Sequence, residues 1–279
     1  MPYFRLTDNS ATSPVILHAP HGGRLIPAEH LAAYLVSPAE LEAEKNVMTD
    51  HFTDLLAAGI AGASCMINEL SRFAVDVERF ADDTEEMNAV GMGVLYTRGS
   101  QGQPIRDLAR TDQPALMAHF TDYSGALADL VTATLERHGQ AFIIDLHSYP
   151  EHALPYELHA EQHAEQPRPE LCVGFERFHA PADFVHTVTD AFAHLHAFHN
   201  GPFAGAYVPL EHYGTDSRVN AVMLEIRRDV YMNEDTLEVK PEPFRELQEC
   251  LQLLVTVLRG DLSAPANDAA TARCPRLRG

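Results

Sequence analysis

Short apolar runs broken by turn residues alternate along this chain with longer stretches whose apolar positions recur at helical spacing. Val15 to Ala19 (VILHA) ends at Pro20, Gly22 and Gly23, as a buried strand running into a loop does. Similar runs at Ser64–Leu70, Phe73–Val77, Ala141–Leu146, Leu171–Phe175 and Ala221–Ile226 predict further strands. Ser37, Pro38 and Glu40 predict a helix start, with Ser37 as cap, Pro38 at the first helical position and Glu40 closing a capping box. Val47, His51, Phe52 and Leu55 carry that helix to about Ala58. Tyr123–His138 reads as a second helix stopped by Gly139. Leu247, Cys250, Leu251, Leu254, Val255 and Leu258 mark a C-terminal helix with one apolar face.

Strands alternating with helices predict an α/β domain on a mixed, largely parallel sheet with its active site at strand ends. One catalytic domain over residues 1–262 is expected. Residues 263–279 (SAPANDAATARCPRLRG) hold little that could build a core and are expected to form a loose tail.

Composition narrows the function. Hydrophobic residues make up 46% and charged residues 22% of 279, an ordinary globular balance. A formal charge of −20 opposes binding to phosphate backbones or anionic lipid, so neither nucleic acid nor membrane is an expected partner. No long apolar segment and no signal-like N-terminus is evident, which points to the cytoplasm. Cys65, Cys172, Cys250 and Cys274 lack CxxC spacing and suggest buried thiols, neither a disulfide framework nor a thiolate metal site.

With 16 histidines, a single one carries little weight; position at a strand end beside a carboxylate carries more. The first strand delivers His18 and His21 to a glycine-rich loop, and Ile144-Asp145-Leu146-His147-Ser148 sets His147 at another strand end. A catalytic zinc usually takes three histidine or carboxylate ligands and keeps one position for water. His21 and His147 therefore need a carboxylate. Asp50 is the favoured one, Asp54 one turn later is the fallback, and Glu42 and Glu44 read as solvated helix charges. Asp145, two residues from His147 and on the same strand face, could orient it.

Glu225 is a lone carboxylate inside an apolar strand, where burial without a partner or a role is costly, and is the candidate general base. Its alternative is an ion pair with Arg227 or Arg228. Arg72, Arg79, Arg227 and Arg228 cluster beside proposed strands in an acidic chain, a grouping suited to an anionic substrate. There is no GxSxG, and Ser148 reads as a strand-end hydroxyl. His194, His196 and His199 read as helix surface and loop.

The segments HAPHGGRLIP, TD at Asp50, RFAVDVERF, DLHSYP, GPFAGAYV and LEIRRDVYM resemble, in that order, the N-formylglutamate amidohydrolase family, from about Pro14 to Leu258. DLHS with LEIRRDVY is the most specific part. That family looks related to zinc carboxypeptidases and aspartoacylases, which implies a three-layer α/β/α, phosphorylase/hydrolase-like fold. The resemblance implies one zinc ion held by His21, Asp50 and His147, with Glu225 as catalytic glutamate. It further implies that Arg72 and Arg79 hold the substrate carboxylate or polarise its carbonyl; Arg227 is a further candidate for substrate binding. The implied reaction converts N-formyl-L-glutamate and water to formate and glutamate, as in histidine degradation. One departure stands out: Asp76-Val77-Glu78-Arg79 carries Glu78 where the related DLNR pattern has asparagine, and a carboxylate facing the pocket would repel an anionic substrate. A zinc carboxypeptidase, a deacylase for another N-acyl amino acid, and a non-catalytic binder of an acidic metabolite are the rival readings.

Overall fold

The computed structural model describes residues 2–158 and 168–262. In chain order the strands are β1 (Phe4–Thr7), β2 (Val15–Ala19), β3 (Ser64–Asn68), β4 (Ala141–Tyr149), β5 (Leu171–Gly174), β6 (Ala197–His199) and β7 (Val219–Arg227). A small ribbon of β8 (Met232–Asn233) and β9 (Glu238–Val239) follows. The helices are α1 (Pro38–Met48), α2 (Thr53–Ala58), α3 (Gln113–His138), α4 (Pro155–Leu158), α5 (Ala182–Ala191) and α6 (Pro241–Leu258).

β1 to β7 form one seven-stranded sheet in the order β1-β3-β2-β4-β7-β5-β6. It is mixed and mostly parallel: β1 against β3 and β5 against β7 are antiparallel, and the other neighbours are parallel. Alternation along each strand divides the molecule into two cores. Val15, Leu17 and Ala19 of β2, Ile144 and Leu146 of β4, and Val222, Leu224 and Ile226 of β7 pack with α2, α5 and α6. Ile16, Ala141, Ile143, Val219 and Ala221 point the other way and pack with α1 and α3. Two-residue spacing then puts His18, Asp145, His147 and Glu225 on this second face, where the parallel strands end. The register aligns His18 with Asp145 and His147 with Glu225, so chemistry-bearing residues from three adjacent strands share one patch.

The capping box at Ser37 and Glu40 is present, and Gly139 ends α3 in the left-handed conformation (φ 72°). The helix expected from Tyr123 begins at Gln113, and two further expected elements differ in kind. The helix from Ser37 does not run through to Ala58: α1 stops at Met48, Phe52 turns left-handed (φ 67°), and α2 begins at Thr53. Phe73–Val77 is not a strand but a fully buried turn segment, whose backbone bonds to Ser71, Val94 and the Arg106 guanidinium instead of a neighbouring strand. Hydrophobic periodicity records burial and is blind to which partner takes the backbone bonds. β1 and β6, short and partly exposed, carry too little pattern to be legible. Cys65 and Cys172 are buried free thiols and Cys250 is buried in α6; Cys274 and the expected tail lie outside the described residues. No helix among the described residues is long and apolar enough to cross a membrane.

Candidate active site

The two breaks in regularity build the site. After β2 the chain turns through Pro20-His21-Gly22-Gly23, and a Cβ on Gly23 would sit 2.5 Å from the backbone of Glu69, so the loop leans directly on the exit of β3. The turn between α1 and α2 is fastened to that loop by the Asp50 amide, which donates to the His21 carbonyl at 3.1 Å, and is closed by the Thr53 hydroxyl on the Asp50 carbonyl at 2.8 Å. A continuous helix would have carried Asp50 along its axis. The break instead turns its carboxylate toward His21 and His147.

Three donor atoms converge there. His21 Nδ1 and His147 Nδ1 face each other at 3.3 Å, and Asp50 Oδ2 lies 3.1 Å from His147 Nδ1 and 3.8 Å from His21 Nδ1. All three residues are buried. Zinc–nitrogen bonds of about 2.0–2.1 Å give a tetrahedral edge of about 3.3 Å, so the donor set fits such an ion. His21 is oriented from behind: its Nε2 donates to Asp76 Oδ1 at 2.9 Å, which leaves the Nδ1 lone pair facing His147. Asp145 Oδ1 lies 3.0 Å from His147 Nε2, but off the N–H line, so that nitrogen makes no hydrogen bond. Burial alone would raise the Asp50 carboxyl; the hydrogen bond from His147, with Arg72 and the two imidazoles, overrides it and brings the pKa to about 2. For His147 burial opposes the charged form, yet Glu78 and Asp145 outweigh it and raise its pKa well above the usual range.

Glu225 stands beside this triad with Oε2 buried and without a partner. Desolvation raises its pKa to about 8, helped by Asp50 and opposed by His147, Arg72 and Arg228. The triad, Glu225, Arg72, Arg79 and Arg228 line a cavity of about 590 Å³. Asp76 Oδ2 accepts from Tyr96 Oη at 2.7 Å and lies 3.3 Å from Arg72 Nη2 and 3.4 Å from Arg79 Nε. Two guanidiniums thus share one buried carboxylate while both line the cavity.

The remaining expected residues are distributed as follows. Arg227 does not line the cavity; its guanidinium grips Asp229 at 2.6 and 3.1 Å and the Arg168 carbonyl. Its neighbour Arg228 turns inward, 3.3 Å from Asp50 Oδ1 and held by the Ser148 hydroxyl at 3.2 Å. Strand alternation cannot choose between adjacent arginines at a strand end, because β7 gives way to a short helical turn at Arg228. Asp54 points away toward Arg5, 3.9 Å away, and Glu42 pairs with Arg24 and Lys45. Glu44 is buried, contrary to the solvated reading, accepting from the Ser100 amide and hydroxyl and from Gln103. His196 and His199 are exposed and His194 is half-buried. The sequence reading passed over Asp76, although a lone carboxylate inside the apolar run Phe73–Val77 was a signal of the same kind as Glu225.

A model of the N-formylglutamate amidohydrolase family matches residues 13–232, a span that contains every residue of this site. The chain belongs to that family. It is similar to the N-formylglutamate deformylase of Pseudomonas aeruginosa, with 26% identity over 260 residues covering 85% of this chain and 92% of that protein. Its fold is that of the crystal structure of N-formylglutamate amidohydrolase from Ralstonia eutropha (TM-score 0.78, 22% identity, 94% of this chain and 98% of that one). A gene product of Agrobacterium tumefaciens is similar at TM-score 0.61 and 15% identity, with 94% of each chain covered.

Membership in the N-formylglutamate amidohydrolase family makes the position of Glu78 the more informative. Its carboxylate lies 3.3 Å from His147 Nε2 and 3.5 Å from both His21 Nδ1 and His18 Nδ1. It is turned onto imidazoles, which blunts the repulsion that an acidic residue in this position would otherwise exert on an anionic substrate.

Proposed function

We propose that this family member is a metal-dependent amidohydrolase that cleaves N-formyl-L-glutamate to formate and glutamate, a reaction of histidine degradation. The observation that carries this reading is the convergence of His21 Nδ1, His147 Nδ1 and Asp50 Oδ2 beside Glu225, whose Oε2 is buried without a partner. His21, Asp50 and His147 would hold one zinc ion, which when bound lowers the pKa of water and polarises an amide carbonyl.

In this proposal Arg72, Arg79 and Arg228, gathered at one cavity of an acidic molecule, bind the substrate's carboxylates. Arg79 is the most accessible of the three, with its side chain 24% exposed against 13% and 4%, and also serves the oxyanion that develops on the formyl group. Glu225 accepts a proton from the attacking water and returns it to the departing amine. Its raised pKa in a desolvated pocket suits a group that must take up and release a proton near neutrality. Asp76 keeps His21 in the tautomer that presents Nδ1, and Tyr96 in turn holds Asp76.

Glu225→Gln tests this assignment, since it preserves shape and hydrogen-bonding capacity but cannot act as a base. The variant is expected to retain its bound zinc and lose at least about 100-fold in formate release from N-formyl-L-glutamate. Unchanged turnover in a zinc-loaded variant contradicts the role of Glu225.

A further inference from the structure

A second group of donors lies beside His147 Nε2, with Glu78 standing between it and the His21–Asp50–His147 triad. His18 Nδ1 is 2.9 Å from Asp145 Oδ1 and 3.5 Å from Glu78 Oε1, and donor atoms of the three residues all fall within 4.8 Å of one another. His18 is fully buried at the end of β2 and Asp145 is 1% exposed in β4, so strand register fixes both. Glu78 comes from the buried turn after Phe73–Val77.

Two atoms in this group, Glu78 Oε1 and His18 Nε2, lack the partner that burial demands, and so does His147 Nε2 beside it. Glu78 Oε1 is buried and accepts no hydrogen bond. His147, 5% exposed, aims Nε2 at the group, 3.0 Å from Asp145 Oδ1 and 3.3 Å from Glu78 Oε2, yet bonds to neither. With His147 Nδ1 turned to the triad, its Nε2 faces these carboxylates with a proton, and Glu78 Oε1 is still left unsatisfied in low dielectric, which calls for further positive charge beside it.

The group also has its own opening. Glu78 and Asp145 line a second cavity of about 610 Å³, with Phe120, Tyr207 and Met223 among its walls, whereas Asp50, His21 and His147 line the first and not this one. Glu78 and Arg79 stand in the partition between the two chambers.

We propose that His18, Glu78 and Asp145 form a second divalent-cation site, separate from the His21–Asp50–His147 triad and facing the second chamber. One imidazole nitrogen and two carboxylates suit a first-row ion of the zinc type and leave coordination positions for oxygen ligands from the chamber. The two sites share no ligand residue and lie on opposite nitrogens of the His147 ring.

The test is zinc stoichiometry after equilibrium dialysis of the full-length protein, with Glu78→Gln and His21→Asn compared with the parent. Two equivalents in the parent, falling to one in each variant, are expected. A single equivalent that His21→Asn removes and Glu78→Gln leaves intact overturns the second site and spares the proposed triad. A single equivalent lost in Glu78→Gln but kept in His21→Asn supports the second site and contradicts the triad, and no bound zinc contradicts both. Cobalt titration of the parent protein needs no variant: visible absorption saturating at two equivalents is the expected result, and saturation at one overturns the proposal.

Discussion

Glu225 is a carboxyl group that folding places where water cannot solvate its charge, and this makes its protonation visible in stability. Its pKa rises from an ordinary 4.5 to about 8 in the metal-free fold. The folded chain therefore holds a proton that the unfolded chain has released between these values. The associated stability is fully present below about pH 4.5 and is lost as pH rises through about 8. In chelated protein, the Tm of Glu225→Gln minus that of the parent should widen between pH 5 and pH 9; a constant difference contradicts a buried, proton-holding Glu225. Asp76 acts at the same scale through His21. Asp76→Asn removes the acceptor that fixes the His21 tautomer and is expected to weaken zinc affinity about 10- to 100-fold, measured by competition with a chromophoric chelator. Unaltered affinity in a folded variant means that His21 needs no carboxylate behind it. Glu225 was legible in sequence because a charge in an apolar strand contradicts its surroundings. Asp76 gave an equivalent signal, but the expectation of a strand at Phe73–Val77 drew attention away from it. Arg228 was less accessible to reasoning, because the choice between it and Arg227 depends on where β7 ends.

Elements deliver these side chains, and the most regular of them were the most legible. β2, β4 and β7 announce themselves as apolar runs, and two-residue alternation suffices to put Asp145 and His147 on one face. α3 and α6 follow from spacing, although α3 begins at Gln113, with Asp112 as its cap, and not at the expected Tyr123. The break between α1 and α2 was not legible, since Val47, His51 and Leu55 keep helical spacing across it. That break aims Asp50, so the feature that matters most to the triad was the one periodicity concealed. Two glycines separate local backbone cost from site assembly. Gly139 is left-handed with open space around a Cβ, so Gly139→Ala is expected to cost about 1 kcal/mol in chemical denaturation and leave zinc affinity unchanged. Gly23→Ala meets the backbone of Glu69 and Leu70 at 2.5–2.6 Å, so it must displace the His21 loop and should lower zinc affinity as well as stability. Equal zinc affinity in the two variants contradicts a loop held by the exit of β3.

At the scale of the molecule, an excess of acidic residues surrounds a pocket at which three guanidiniums, of Arg72, Arg79 and Arg228, gather. The acidic surface gives no attraction to polyanions, while Arg72, Arg79 and Arg228 provide a local exception for a small anion. The sheet makes that exception possible, since its mixed order lets three parallel strands end side by side and hold His18, Asp145, His147 and Glu225 on one face, over which the loops close. On the proposed function, metal chemistry, proton transfer and anion capture would meet in this one cavity. Formate release from N-formyl-L-glutamate by the purified protein, followed before chelation, after chelation and after zinc is restored, measures all three together. The account predicts activity that chelation abolishes and zinc returns; turnover that persists undiminished in metal-free protein, or none in protein carrying zinc on His21, Asp50 and His147, contradicts it.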